Sequence, residues 1–149
     1  NPALDVCSAS KSDRANRSCI GVIAMPDKSN PGAYFEIPVT DMHRATTFYK
    51  HVFGFDFEMV DIHDNQMALM PFEAGGTGIS GALAKGDIYK PSVCGTLIYL
   101  RTENIEQALE RAQQAGAKVL FPKTNVNDYA LVAEIEDCEG NRIGLMQHL

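Results

Sequence analysis

The sequence predicts an α+β fold in which two βαβββ modules form a cupped, mostly antiparallel sheet. Strand-like alternation and a helical stripe of apolar residues follow one another twice along the chain. The second copy follows the first at one constant offset, which relates Thr40 to Thr102, Asp41 to Glu103 and Gly54 to Gly116. A length of 149 residues with 45% hydrophobic residues suffices for one domain with a substantial core.

Residues 1–32 predict an N-terminal tail or extension. They are polar with little periodicity, and the stretch ends with Pro26, Pro31 and Gly32. Its longest apolar run, residues 20–25, is far shorter than the roughly 20 residues that a membrane span requires. The domain itself is therefore predicted over residues 33–149.

The first module is predicted over about residues 34–90. Alternation at residues 34–39 places Phe35, Ile37 and Val39 on one face of a strand. Asp41 caps a helix that ends at Gly54. The apolar stripe of this helix consists of Ala45, Phe48, Tyr49 and Val52. Three more strands are predicted, over residues 55–62, 66–72 and 79–85.

The second module is predicted over about residues 94–148. A strand at residues 94–101 leads to a helix that begins at Asn104, with Gln107 in the position of a capping box, and ends at Gly116. Its apolar stripe consists of Ile105, Ala108, Leu109 and Ala112. The last three strands are predicted over residues 118–121, 130–136 and 142–148. Because each helix covers one side of its sheet, the concave side stays open as a small-molecule site between modules or between subunits.

Charge and cysteine content limit the partners and the compartment. The net charge of −6 and the pI near 5.1 argue against binding to nucleic acid or to an anionic membrane, and mildly favour a cationic small ligand. The four cysteines form no C-x-x-C pair, which favours free thiols in a reducing cytoplasm. A bridge between Cys7 and Cys19 stays open as an alternative.

A glycine-rich run at residues 76–81 matches the G-x-G-x-x-G fingerprint of dinucleotide sites. That motif binds a pyrophosphate only where it joins a strand to a helix. Here a β-rich stretch and Pro91 follow the glycines. The run therefore predicts a loop entering a strand and no nucleotide site.

Two segments resemble the vicinal-oxygen-chelate superfamily of glyoxalases, bleomycin resistance proteins and dioxygenases. The run YFEIPVTDM at residues 34–42 is similar to the opening of its modules, and DCEGNRIGL at residues 137–145 to its closing hairpin and strand. The resemblance extends over residues 34–148 and is strongest to small bacterial proteins related to lactoylglutathione lyase. It implies a homodimer that binds a small organic molecule, and it makes Met25 the expected native start.

Metal-dependent members of this superfamily place ligands on the first and last strands of each module. The corresponding positions here are Tyr34, a residue near Gly81, Thr96 and Gly144. Two of these lack any side-chain donor, and neutral hydroxyls are weak metal ligands. The expectation is no metal and no cofactor. A displaced site for a divalent metal ion would have to use Glu36 and His148. The alternation of side chains along a strand directs both of them to the concave side of the sheet.

The candidate ligand-binding residues are those expected to line the cup or its entrance. Tyr34, Glu36, Thr96 and Met146 should line the cup, with Lys85 and Tyr89 near the entrance. Three functions stay open. The first is a metal-free binding or sequestration protein, the second a metal-dependent lyase or dioxygenase with displaced ligands, and the third a metal-free enzyme in which Glu36 is the general base.

Overall fold

The computed structural model describes residues 30–149 of the chain. Within them, Gly32–Leu149 forms one compact unit. The tail predicted at residues 1–32 lies almost entirely outside the described residues, as do Cys7, Cys19 and Met25.

The first module has the predicted order of elements. These are β1 (Phe35–Pro38), α1 (Met42–Phe53), β2 (Glu58–Ile62), β3 (Asn65–Leu69) and β4 (Gly81–Lys85). The strands form one sheet in the order β1-β4-β3-β2, in which β1 and β4 are parallel and the other pairs antiparallel.

The second module repeats this topology. Its elements are β5 (Ile98–Arg101), α2 (Ile105–Gln114), β6 (Lys118–Val126), β7 (Ala130–Glu136) and β8 (Arg142–His148). The sheet order is β5-β8-β7-β6, again with one parallel pair, β5 and β8. The predicted α+β fold of two βαβββ modules is therefore confirmed, with the strands divided between two mixed four-stranded sheets.

Both helices begin and end where the capping signals predict. The Asp41 side chain accepts a 3.0 Å hydrogen bond from the Arg44 amide, and the Asn104 side chain accepts one of 3.0 Å from the Gln107 amide. Gly54 and Gly116 have φ values of 77° and 88°, a left-handed conformation that suits glycine at a helix end.

One face of each sheet packs against the helices to form a shared core. Ile37 and Val39 are buried there and Phe35 packs against them, as the alternation predicts. The predicted stripe of α1 is buried in full, and in α2 the stripe is buried except for Leu109, which is partly covered. Tyr34 and Glu36 therefore point to the opposite, concave face of the first sheet.

The constant offset predicted between the modules is wrong at their start. The N-cap Asp41 corresponds in the structure to the N-cap Asn104, one position beyond the predicted partner Glu103. At the helix ends Gly54 and Gly116 are both left-handed glycines, but Gly54 is the C-cap of α1 whereas the C-cap of α2 is Ala115, because α2 is two residues shorter than α1.

The corrected offset also relates the first strands of the modules. Val39 and Thr102 donate equivalent backbone hydrogen bonds, to the Ala84 carbonyl at the end of β4 and to the Met146 carbonyl in β8. Counting back along both strands from this pair makes Tyr99 the structural counterpart of Glu36.

Two strand boundaries also differ from the prediction. The strand expected at residues 94–101 begins only at Ile98, because a turn precedes it. The strand expected at residues 118–121 continues to Val126 and passes through Pro122. A proline is tolerated there because β6 is an outer edge strand, and shifts in its pairing with β7 lie on either side of Phe121.

Neither helix within residues 30–149 is long and apolar enough to cross a membrane.

Candidate functional site

The first strands of the two modules line a common cavity. β1 and β5 are both edge strands of their sheets, and residues from both border a cavity of about 420 Å³, here called the seam cavity. Its polar and apolar lining includes Tyr34, Glu36, Lys90, Thr96, Ile98 and Arg142. This volume lies in the range of small-molecule sites.

Three of the predicted site residues lie together beside this cavity. The Tyr89 hydroxyl donates a 2.7 Å hydrogen bond to Oε2 of Glu36, and Tyr34 lies close enough for the Glu36 charge to raise its pKa. Tyr34 and Glu36 come together because they are two residues apart on one side of the chain as it enters and runs through β1. Tyr89 reaches them from the connection between β4 and β5.

The Glu36 carboxylate keeps both tyrosines in their neutral, donating form. Burial raises the pKa of Tyr34, and the nearby charge of Glu36 raises it further. The hydrogen bond to Glu36 is the main reason that the pKa of Tyr89 is raised, followed by burial. At neutral pH both phenols are therefore protonated, and Tyr89 is a donor to the carboxylate.

The concave face of the first sheet is apolar and built from small residues. Met67, Ala82 and Ala84 are buried there, and Tyr89 packs against them. The ring of Tyr89 thus covers an apolar floor while its hydroxyl holds Glu36.

The concave face of the second sheet carries a different polar group. Tyr99 donates a 2.9 Å hydrogen bond to Oε1 of Glu134, and Nε of Arg142 donates one of 2.6 Å to Oε2. Glu134 is only 7% exposed, and its charge is matched by the partly exposed guanidinium of Arg142. Burial, and then the hydrogen bond to Glu134, raises the pKa of Tyr99.

Sequence reasoning missed this second group. The one-residue error in the repeat offset places Tyr99 on the buried face, because side chains alternate along a strand. The sequence signal that could have revealed it is the alternation in β7. There the acidic Glu134 lies between Ala133 and Ile135, which are buried in the core.

A second cavity, of about 440 Å³, lies beside the seam cavity. Met146 and His148 line it together with Tyr99 and Arg101 from β5. The connection between β3 and β4 closes one side, because Nη1 of Arg101 donates a 3.1 Å hydrogen bond to the Thr77 hydroxyl. This connection contains the glycine-rich run, and β4 rather than a helix follows it, as predicted.

The remaining predicted site residues, Thr96, Met146 and Lys85, lie in three different parts of the structure. Thr96 is exposed and lines the seam cavity, whereas Met146 is half-buried in the second cavity. Lys85 is exposed at the end of β4 and has the strand parity of Leu83, which faces the helices. The structure does not bring Lys85 to either cavity.

The donor atoms at the expected metal positions do not fit a divalent ion. Gly81 and Gly144 offer no side chain, and a Cβ added at Gly144 would lie 2.4 Å from the Tyr99 ring. Glu36 and His148, the displaced pair, line different cavities. Within residues 30–149, no three His, Cys, Asp or Glu side chains are grouped so that they could hold a metal.

Comparison with known proteins identifies the family. The model described as Glyoxalase/Bleomycin resistance protein/Dioxygenase superfamily matches residues 33–145, and no curated protein matches the sequence.

Several solved structures are similar. TnmS3, an antibiotic binding protein from Streptomyces sp. CB03234, is 25% identical, with coverage of 82% of this chain and 98% of its own and a TM-score of 0.60. A glyoxalase/bleomycin resistance protein from the same organism is 28% identical, with coverage of 78% and 99% and a TM-score of 0.58. A glyoxalase family protein from Bacillus cereus shares the fold, with 16% identity, coverage of 85% and 99% and a TM-score of 0.64. The chain belongs to the Glyoxalase/Bleomycin resistance protein/Dioxygenase superfamily.

Proposed function

We propose that the protein binds and sequesters a small organic molecule at the concave sheet faces, and that it does so without the metal site of the superfamily's enzymes. The observation that carries this proposal is the seam cavity, where Tyr34 and Glu36 present polar atoms beside the apolar side chain of Ile98. Tyr89 lies next to it, since its hydroxyl holds Glu36 and its ring packs on Ala82 and Ala84. A few fixed polar groups in an apolar hollow are what small-molecule sites have in common.

The similar structures support binding as the activity. TnmS3 is an antibiotic binding protein, and the chain covers nearly all of its length. The donor set at the expected metal positions supports the metal-free part, since two of the positions are glycines.

Binding can be tested with Nile red, an uncharged aromatic dye whose emission rises in apolar surroundings. We expect saturable binding of one dye per chain, weakened in Tyr89→Ala because this change frees the Glu36 carboxylate at the cavity wall and uncovers the apolar floor beside it. Tyr129→Ala is the matched control, since Tyr129 is 58% exposed and lies on the short turn before β7. Absence of binding by Nile red and by a panel of aromatic antibiotics would contradict the proposal.

The proposal that the protein acts without a metal ion is tested separately. Elemental analysis of protein purified without chelator should give nickel, zinc, iron and manganese well below one ion per chain. A stoichiometric amount of any of them would favour the lyase or dioxygenase alternative instead.

A metal-free enzyme is the second candidate, and the position of Glu36 favours it. The Tyr89 hydroxyl holds this carboxylate at the cavity wall, where it could accept a proton from a bound molecule. Against any substrate that the protein converts, Glu36→Gln should abolish turnover while binding persists. Unchanged turnover would remove Glu36 as the base.

A homodimer is part of the proposal. The outer strand β6 supports it, because Leu120 and Phe121 are about 40% exposed along an unpaired edge of nine residues. Light scattering after size exclusion should give twice the chain mass of 16.3 kDa. A mass of one chain at all concentrations would reject the dimer.

A further inference from the structure

The carboxylates on the concave faces differ in how their charge is matched. In the second sheet, Glu134 pairs with Arg142, and Glu136 lies 3.3 Å from the ammonium of Lys118. Glu36 in the first sheet receives a hydrogen bond from the neutral phenol of Tyr89 and forms no ion pair within residues 30–149. In the described part of the protein, the Glu36 carboxylate at the seam cavity therefore has no cationic partner in direct contact.

The carboxylate has acceptor capacity left for a ligand. An ionised carboxylate offers about four lone-pair sites, and the hydroxyl of Tyr89 occupies one of them. This hydrogen bond also restricts the orientation of the carboxylate. A ligand that donates hydrogen bonds would find the remaining sites already positioned.

The walls beside Glu36 are aromatic and apolar. Tyr34 is 51% exposed, so much of its ring is open to a ligand, and Tyr89 packs over the apolar floor. Aromatic faces attract ammonium groups through the ring quadrupole, and apolar surface holds the attached hydrocarbon. The net charge of −6 adds a long-range attraction for cations.

Two basic residues line the same cavity and must be accounted for. The guanidinium of Arg142 is engaged by Glu134, so its charge is largely compensated. Lys90 is exposed and forms no ion pair with Glu36. Lys90 would repel a cationic ligand weakly, or would attract the acidic group of a zwitterion.

We infer that the seam cavity selects organic cations, amines joined to an aromatic or apolar group, with Glu36 as their counter-ion, the ring of Tyr34 as a wall and the Tyr89 hydroxyl as the group that positions the carboxylate. This inference deepens the proposed function and rests on it.

The test uses three phenyl compounds of similar size and different charge, added to the ¹⁵N-labelled full chain and followed by two-dimensional NMR. These are phenethylamine, 2-phenylethanol and 3-phenylpropionate. We expect phenethylamine to shift the amide signals of Tyr34, Glu36 and Tyr89 and to bind about tenfold more tightly than the other two, since a charge-assisted hydrogen bond forms with the amine alone. Equal or tighter binding of 3-phenylpropionate would overturn the inference.

Variants assign the selectivity to one carboxylate. Glu36→Gln should weaken phenethylamine binding about tenfold and leave 2-phenylethanol unchanged. Glu103→Gln makes the same charge change at an exposed position just before α2 and should leave the affinity unaltered. Lys90→Ala should leave phenethylamine binding equal or tighter, whereas a marked loss would indicate a zwitterion site and reject a simple cation site.

The possible outcomes distinguish a failure of cation selectivity from a failure of the proposed small-molecule binding. If only the uncharged or the anionic compound shifts the cavity amides, the protein binds small molecules but does not select cations. If none of the three compounds shifts them and Nile red does not bind, the proposed function fails as well. The NMR spectrum of each variant shows whether it is folded.

Discussion

The Tyr49 hydroxyl donates a buried 2.6 Å hydrogen bond to Oδ2 of Asp137, which joins α1 of the first module to the β7–β8 hairpin of the second. Asp137 is 5% exposed, and its other oxygen accepts 2.8 Å hydrogen bonds from the amides of Glu139 and Asn141. Asn141 in turn donates to the carbonyl of Pro38 at the end of β1. One hairpin of the second module thereby fixes the helix and strand that border the seam cavity.

Removing the Tyr49 hydroxyl should destabilise the fold without removing its ring. Tyr49→Phe leaves a buried carboxylate with one acceptor site unfilled, which costs about 1–3 kcal/mol. The free energy of unfolding in urea measures this loss. Tyr129→Phe, at an exposed tyrosine, should change it by less than about 0.5 kcal/mol. Equal stability of the two variants would show that the hydrogen bond contributes nothing.

The Glu139 carboxylate should make stability fall in acid. Burial by itself raises its pKa, but hydrogen bonds from the Arg44 guanidinium and from Thr40 outweigh burial, so the pKa in the folded state lies below the ordinary value of 4.5. The unfolded state then binds the proton more readily than the folded state. Stability is complete above about pH 4.5 and is lost as pH falls through the lower, folded pKa.

Glu139→Gln should therefore flatten the dependence of the urea midpoint on pH between pH 5 and pH 3, roughly the window set by the unfolded carboxyl. The variant should be less stable than the original protein at pH 7, because Arg44 loses its charged partner. Glu103→Gln, at an exposed glutamate, should keep the original slope. A slope unchanged by Glu139→Gln would assign the acid sensitivity to other groups.

The two described thiols should differ in reactivity. Burial, together with the carboxylates of Asp137 and Glu139, raises the pKa of Cys138 to about 12, so its thiol stays protonated at pH 8. Cys94 is exposed in the turn before β5. Iodoacetamide should alkylate Cys94 first, as peptide mass spectrometry can show, and urea should remove the difference. Equal rates in the folded protein would contradict this burial.

The sequence predicts α1 and the inner face of β1 correctly because several local signals agree there. The cap Asp41, the apolar stripe and Gly54 all indicate one helix, and the alternation at Phe35, Ile37 and Val39 indicates one buried face. The same alternation places Tyr34 and Glu36 on the concave side.

The contacts of the site depend on tertiary structure and are not encoded locally. The position of Tyr89 over Ala82 and Ala84 is set by the path of a loop between the modules, for which no periodicity exists. Tyr99 was missed for a simpler reason. An offset error of one residue moves a strand side chain to the other face, and the N-caps Asp41 and Asn104 are one residue further apart than the left-handed glycines Gly54 and Gly116.

A glycine at position 144 should be required for the stability of the fold, because the Tyr99 ring occupies the space that a side chain at this position would need. A Cβ at this position would lie 2.4 Å from Cδ1 of Tyr99, so Gly144→Ala must displace the ring and break its hydrogen bond to Glu134. We expect a loss of about 1–3 kcal/mol in the free energy of unfolding, as for other overpacked sites. Gly95→Ala is the control, since its nearest neighbour is the Ser92 carbonyl oxygen at 3.8 Å.

A double-mutant cycle with Tyr99→Ala separates this clash from any general effect of the added methyl group. Once the ring is absent, Gly144→Ala should cost little, so the two changes should be strongly non-additive. Simple additivity would mean that Gly144 is needed for its backbone rather than for the ring above it. Non-additivity would show that the ring of Tyr99, on the neighbouring strand β5, fills the space above Gly144.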